Sequence, residues 1–119
     1  MKTLQQRVGF TSEKAAEKYL KKHGLKTILK NFSCKLGEID IIMRDQDTIV
    51  FVEVRSRQNQ NYANSLESVT PEKQRRIIKT ALYYLQTTNQ VDKVDCRFDV
   101  IGIDHASNLT WIKNAFQVE

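Results

Sequence analysis

The chain has 119 residues, 40% hydrophobic and 28% charged, which is typical of one globular domain and excludes a disordered or fibrous chain. No apolar run approaches the roughly 20 residues that a membrane helix requires, and the N-terminus lacks a secretory signal, so we expect a cytoplasmic protein without a membrane partner. Its 19 Lys and Arg against 14 Asp and Glu give a net charge of +5, which favours a polyanionic partner such as nucleic acid. Cys34 and Cys96 have no partners at metal-ligand spacing, and we expect them to be small buried side chains.

The first half of the chain predicts a helix followed by three strands. Residues 11–23 carry a capping hydroxyl, an apolar stripe at helical spacing and a glycine directly after them, which is the pattern of a helix. Three segments then have the β-branched and apolar density of strands: 25–35, 38–44 and 48–56. A short polar link joins the last two, so we expect them to form an antiparallel hairpin.

The second half predicts a loop, a helix and two strands. Residues 56–68 have little apolar content and no clear period, so we expect a mobile loop. Residues 70–87 begin with a Thr-Pro helix start and continue with an apolar stripe at helical spacing. Strands are expected at 94–104 and 109–116. The order α-β-β-β-α-β-β predicts a single α/β domain over residues 1–119, with a mixed β-sheet flanked by helices.

Two acidic residues, Asp40 and Glu53, interrupt the apolar hairpin, and Arg55 follows two positions later. If the hairpin loop has an even number of residues, the ladder places Asp40 directly opposite Glu53 on one face; a three-residue loop would separate them. Alternation puts Arg55 on the same face as Glu53. Such carboxylates repel each other unless a proton or cation intervenes, and Mg²⁺ prefers carboxylate oxygens. A buried ion pair with Arg55, without any chemistry, would explain the pattern as well.

Basic residues of the second predicted helix lie together on one flank. Four polar side chains share that flank, away from the apolar stripe: Lys73, Arg76, Thr80 and Tyr83. With Arg55 and Arg57, the two basic ones could form a rim that binds the phosphates of a nucleic acid, although a solvated helix face is the other interpretation. Asp99 lies in a strand that should be buried. It could support the ligands of the site from behind or be a structural partner near Arg97, and we favour the structural interpretation.

Several short motifs occur in an order that one family shares. These are E-x-x-A-x-x-Y-L from Glu13, N-F-x-C from Asn31, GEIDII at 37–42, FVEVRSR at 51–57, S-V-x-x-x-K-x-x-R from Ser68 and RFDV at 97–100. Together they resemble the YraN family of small bacterial proteins, which is similar to archaeal Holliday-junction resolvases. Both are placed in the restriction-endonuclease-like superfamily, whose motif is an Asp followed by (Asp/Glu)-x-Lys.

The resemblance implies a restriction-endonuclease-like fold and a metal-dependent endonuclease, a hydrolase that cleaves DNA and acts on branched DNA. It implies Mg²⁺ or Mn²⁺ as the cofactor, with Asp40 and Glu53 as metal ligands and catalytic residues. It also implies Glu13 as an acid brought to the site from the first helix. The other interpretation of Glu13 is a first-turn acid that stabilises the helix dipole.

The superfamily motif has a lysine where this chain has Arg55. Arginine stays charged and cannot act as a base, but it can hold a phosphate or offset charge in the transition state. A nucleic acid-binding module of the same fold, without catalysis, is therefore the alternative function. Symmetric cutting of a junction would require a homodimer.

Overall fold

Five strands form one mixed sheet in the computed structural model, which describes the backbone of residues 4–57 and 62–118 and the side chains of 12–56 and 65–118. The elements are α1 (Leu4–Lys22), β1 (Lys26–Cys34), β2 (Gly37–Asp45), β3 (Thr48–Arg57), α2 (Tyr62–Glu67), α3 (Pro71–Thr87), β4 (Asp95–Asp104) and β5 (Leu109–Phe116). The strands lie in chain order across the sheet. The predicted α/β class, with a mixed sheet flanked by helices, is confirmed.

Strand directions explain where the helices lie. β3 and β4 are parallel, whereas the other neighbouring strands are antiparallel. Parallel strands need a crossover connection, and α2 and α3 provide it. α3 covers one sheet face, where Ala81 packs with Phe51 and Phe98. α1 covers the other face, where Leu20 packs with Val50. With both faces covered, the central strands read as almost continuous apolar runs.

The α3 helix begins and packs much as its sequence predicts. Thr70 caps it, because its Oγ1 accepts a hydrogen bond from the backbone N–H of Lys73 at 3.3 Å. Thr80, which we expected on the polar flank, is instead completely buried. Gly37 causes this difference: β2 approaches so closely that a Cβ at Gly37 would lie 2.9 Å from Thr80 Oγ1.

Three local expectations were wrong. α1 begins at Leu4 rather than at residue 11, since residues 4–10 include good helix formers. The segment 56–68 is not one loop: β3 continues to Arg57 and α2 occupies Tyr62–Glu67, while residues 58–61 lie outside the described part. Cys96 is exposed, because the first residues of β4 extend beyond the core.

The described helices are too short or too polar to span a membrane. Within residues 4–57 and 62–118, none of them is long and apolar enough to cross a bilayer.

Candidate functional site

The β2–β3 hairpin has the register that the acidic pair requires. Asp45 pairs with Thr48 across a two-residue loop, and the ladder continues without a shift to Ile41 opposite Val52. Gln46 opens the loop with a positive φ of 55°. The even loop is therefore confirmed, and the two acidic residues stand at the position directly beyond the last backbone pair.

The strands depart from regular alternation at Asp40. Ile39 packs in the core beneath α3 and Ile41 in the core beneath α1, although residues two apart in a regular strand share a face. β1 is irregular at the neighbouring position, where Asn31 has a φ of 55°. Asp40 therefore lies between the two helix layers. Its Oδ2 accepts a hydrogen bond from the backbone N–H of Val54 at 2.8 Å.

Asp40 and Glu53 lie close enough together that each changes the pKa of the other. Both are largely withdrawn from water, and the Glu53 side chain is 15% exposed. Burial raises the pKa of Asp40, although the Val54 N–H and the charge of Arg55 oppose the rise. Burial, followed by the charge of Asp40, raises the pKa of Glu53 to about 9. Without a cation, the pair therefore retains a proton at neutral pH.

Glu13, on α1, lies near enough to the acid pair for the charge of Asp40 to act on it. Burial raises its pKa to about 7, and the negative charges of Asp40 and Glu38 add to the rise. The charge of Lys30 and the side chain of Asn31, both on β1, oppose this rise in the pKa of Glu13. Among the described side chains, no three from His, Cys, Asp and Glu are close enough together to hold a metal. Glu13 is thus a neighbour of the acid pair rather than a third direct ligand.

A small cavity of about 180 Å³ lies beside Glu53 and has a basic wall. Arg55, Lys73 and Arg76, which the sequence predicted as phosphate contacts, all line it. Arg57, the fourth predicted contact, ends β3, and its side chain lies outside the described residues. The fold therefore brings three of these basic side chains to the acid pair, one from a strand and two from α3.

Ser68 contacts two residues of this basic wall. The Arg55 Nε donates to Ser68 Oγ at 3.0 Å, and the Lys73 Nζ donates to Ser68 O at 3.4 Å. Arg55 Nη1 also lies 3.6 Å from Glu53 Oε2. Ser68 was missed as a site residue in the sequence, as was Asn31. A signal existed for Asn31, since asparagine is enriched at positive φ; the role of Ser68 depends on packing between distant segments.

The second buried acid, Asp99, is satisfied by donors and matches its structural interpretation. It is completely buried in β4. Arg97 Nε donates to its two oxygens at 3.1 and 3.2 Å, Trp111 Nε1 donates at 3.0 Å, and the backbone N–H of Asn114 donates at 2.9 Å. These bonds hold β4 to β5.

Sequence comparison supplies the family. Residues 12–103 match the model of a family described as "Uncharacterised protein family UPF0102". The chain belongs to the UPF0102 family. This is the YraN family that its motifs resemble, so that resemblance is confirmed. The UPF0102 match includes the acid pair and the basic wall.

Relatives in this family align over nearly their whole length. A "UPF0102 protein" of Coxiella burnetii (strain RSA 493 / Nine Mile phase I) is 53% identical over 119 residues, which are 100% of this chain and 99% of the relative. A UPF0102 protein of Legionella pneumophila (strain Philadelphia 1) is 49% identical, over 93% of this chain and 95% of the relative. A UPF0102 protein of Herminiimonas arsenicoxydans is 49% identical, over 98% of this chain and 91% of the relative.

Proposed function

We propose that this UPF0102 protein is a metal-dependent endonuclease of the restriction-endonuclease-like type, which binds DNA in the cytoplasm and hydrolyses its phosphodiester bonds. Branched DNA is the first substrate to test, and symmetric cutting of a junction would use a homodimer. One observation carries the proposal: the partly buried carboxyl groups of Asp40 and Glu53 lie together, and Glu53 lines a cavity with a basic wall. Burying two like charges together destabilises a fold, so the pair requires an explanation other than stability.

The acid pair suits a hard divalent cation. Mg²⁺ and Mn²⁺ take carboxylate oxygens and retain several water ligands, so two protein ligands are sufficient. The Val54 N–H fixes the orientation of the Asp40 carboxylate, as outer hydrogen bonds commonly do for metal ligands. A cation would also take the place of the proton that burial keeps on the pair. When bound, it would supply charge neutralisation at the phosphate and a water of lowered pKa.

The other residues of the site supply binding and proton transfer in this proposal. Arg55, Lys73 and Arg76 place positive charge around a phosphate in the cavity. Glu13, with its pKa raised to about 7, can gain or lose a proton near neutral pH, which is the property that a general acid or base needs.

A DNA-binding module without cleavage is the second candidate, and the position of Arg55 favours it. Its guanidinium, always charged, lies 3.6 Å from Glu53 Oε2, where it partly neutralises the acid pair without a metal. This alternative predicts salt-sensitive DNA binding that needs no divalent cation and gives no product.

The test incubates the protein with Mg²⁺ or Mn²⁺ and with linear, flapped and four-way DNA. Asp40→Asn and Glu53→Gln should abolish cleavage and leave DNA binding unchanged or tighter, because each removes an acid near the phosphates. Arg55→Lys, which restores the superfamily motif, should retain cleavage. If wild type binds DNA but yields no metal-dependent product at high enzyme concentration, the binding module replaces the endonuclease.

A further inference from the structure

Arg55 is fixed in place by a chain of contacts. Its Nε donates to Ser68 Oγ at 3.0 Å, and Ser68 Oγ in turn donates to Ser65 O at 2.7 Å. Ser65 is buried in a notch at Gly102, where a Cβ would lie 1.9 Å from Ser65 Oγ. Together with the nearby Glu53 carboxylate, these contacts hold the guanidinium from two sides. Arg55 lines the cavity, but its guanidinium cannot turn toward a ligand there without breaking these contacts.

Lys73 is held far less tightly. Within the described side chains, its ammonium makes one hydrogen bond, a long one of 3.4 Å to Ser68 O. An ammonium has three donors, so two remain for a ligand. The backbone of Lys73 is nevertheless fixed, because Thr70 caps the helix at its N–H. Lys73 also lines the same cavity as Glu53, which places it beside the acid pair.

We propose that Lys73, and not Arg55, is the basic residue that holds the phosphodiester seated against Asp40 and Glu53. Arg55 is then a positioning residue, which Ser68 locks beside Glu53. Lys73 thus supplies, from α3, the lysine that the strand motif lacks at residue 55. This inference rests on the proposed function, from which it takes phosphate as the ligand. What it adds is the identity of the residue that contacts the phosphate.

The first test compares Lys73→Met with Lys79→Met in single-turnover cleavage of a labelled DNA with Mn²⁺. Lys79 is the matched control, because it lies on the same helix, is exposed and lines a different surface. Lys73→Met should lower the rate by about 100-fold, the usual effect of losing one charge-stabilising donor. Lys73→Met should also weaken DNA binding more than Lys79→Met does, because it removes a phosphate contact. Equal rates for the two variants would overturn the inference, as would a greater rate loss in Arg55→Met.

The positioning role of Arg55 has its own test. Ser68→Ala should lower the cleavage rate by roughly tenfold, whereas Ser68→Thr keeps the hydroxyl and should keep the rate. Adding Ser68→Ala to Arg55→Met should lower the rate no further, since the two residues act as a unit. Additive losses would contradict this role.

A binding measurement separates this inference from the proposed function. A short 5′-phosphorylated oligonucleotide is titrated into the protein, and NMR follows the ε-methylene signals of the lysines. The Lys73 signal should shift and the Lys79 signal should not. If wild type never cleaves DNA but Lys73 shifts, the endonuclease fails and the phosphate contact stands. If the Arg55 Nε signal shifts while Lys73 does not, the inference fails whether or not DNA is cleaved.

Discussion

Asp99 and the Asp40–Glu53 pair are carboxylates withdrawn from water in the same sheet, Asp99 completely and the pair in part, but their surroundings differ. Asp99 receives N–H groups from Arg97, Trp111 and the backbone of Asn114. Asp40 and Glu53 instead face each other, and burial raises the pKa of both. A buried acid surrounded by donors stabilises the strands that supply them. A buried acid that faces another acid is stable only with a proton or a cation, which is the condition for a site rather than for a structural contact.

The largest effect is expected at the structural acid. Asp99→Asn should lower the free energy of unfolding by about 3–5 kcal/mol, because Arg97 loses a buried counter-charge. The new amide would also present N–H groups to the donors of Trp111 and Asn114. Urea denaturation measures the loss.

The control for this prediction is Asp45→Asn. Asp45 is the other carboxylate that pairs with Arg97, at 3.0 Å, but its side chain is 25% exposed. Its removal should lower the free energy of unfolding by about 1 kcal/mol or less. If both substitutions have the same effect, Asp99 does not have the structural role that its donors indicate.

The pH dependence of stability tests the acid pair. Glu53 and Glu13 have folded-state pKa values of about 9 and about 7, against an ordinary value of 4.5. The folded protein therefore keeps protons that the unfolded chain releases above about pH 4.5. The stabilisation that these bound protons provide is complete below that pH. It is lost as the pH rises through the folded-state pKa of each glutamate. Each proton contributes a slope of up to about 1.4 kcal/mol per pH unit, so the fall should be steeper below pH 7 than above it.

Glu53→Gln should flatten this curve. Urea unfolding in EDTA should show that the Glu53→Gln variant is more stable than wild type at pH 7, because residue 53 then has no carboxyl group that must stay protonated. Glu67→Gln, at an exposed position of α2, should follow the wild-type curve. Parallel curves for wild type and Glu53→Gln would mean that the pair is not strained.

The sequence predicts the contact of the two acids but not the way in which it forms. The register follows from local information, since a two-residue loop at Gln46 fixes every pair of the hairpin. The break in alternation at Asp40 does not follow from local information, because it depends on which of the two cores Ile39 packs in. The α2 helix was missed for a similar reason. Its few apolar residues predict no helix, and its packing depends on the notch at Gly102, far along the chain.

The smallest effect expected is stabilisation of the acid pair by a divalent cation. Mg²⁺ or Mn²⁺ at ten times its dissociation constant should stabilise wild type by about 1.4 kcal/mol, seen as a rise in Tm. The gain should shrink as the pH falls, because protons compete for the carboxylates of Asp40 and Glu53. Asp40→Asn should remove it.

Asp95→Asn is the control for this cation effect. Asp95 lines a larger cleft of about 660 Å³ at the other end of the hairpin, together with Asp47 and Asp92. Those acids also attract cations, but they are not buried against each other, so the Asp95→Asn variant should keep the full gain in Tm. The opposite result, in which Asp95→Asn loses the gain and Asp40→Asn keeps it, would move the cation to that cleft. The Asp40–Glu53 pair would then hold only a proton, and the comparison with Asp99 would no longer separate a metal site from a structural contact.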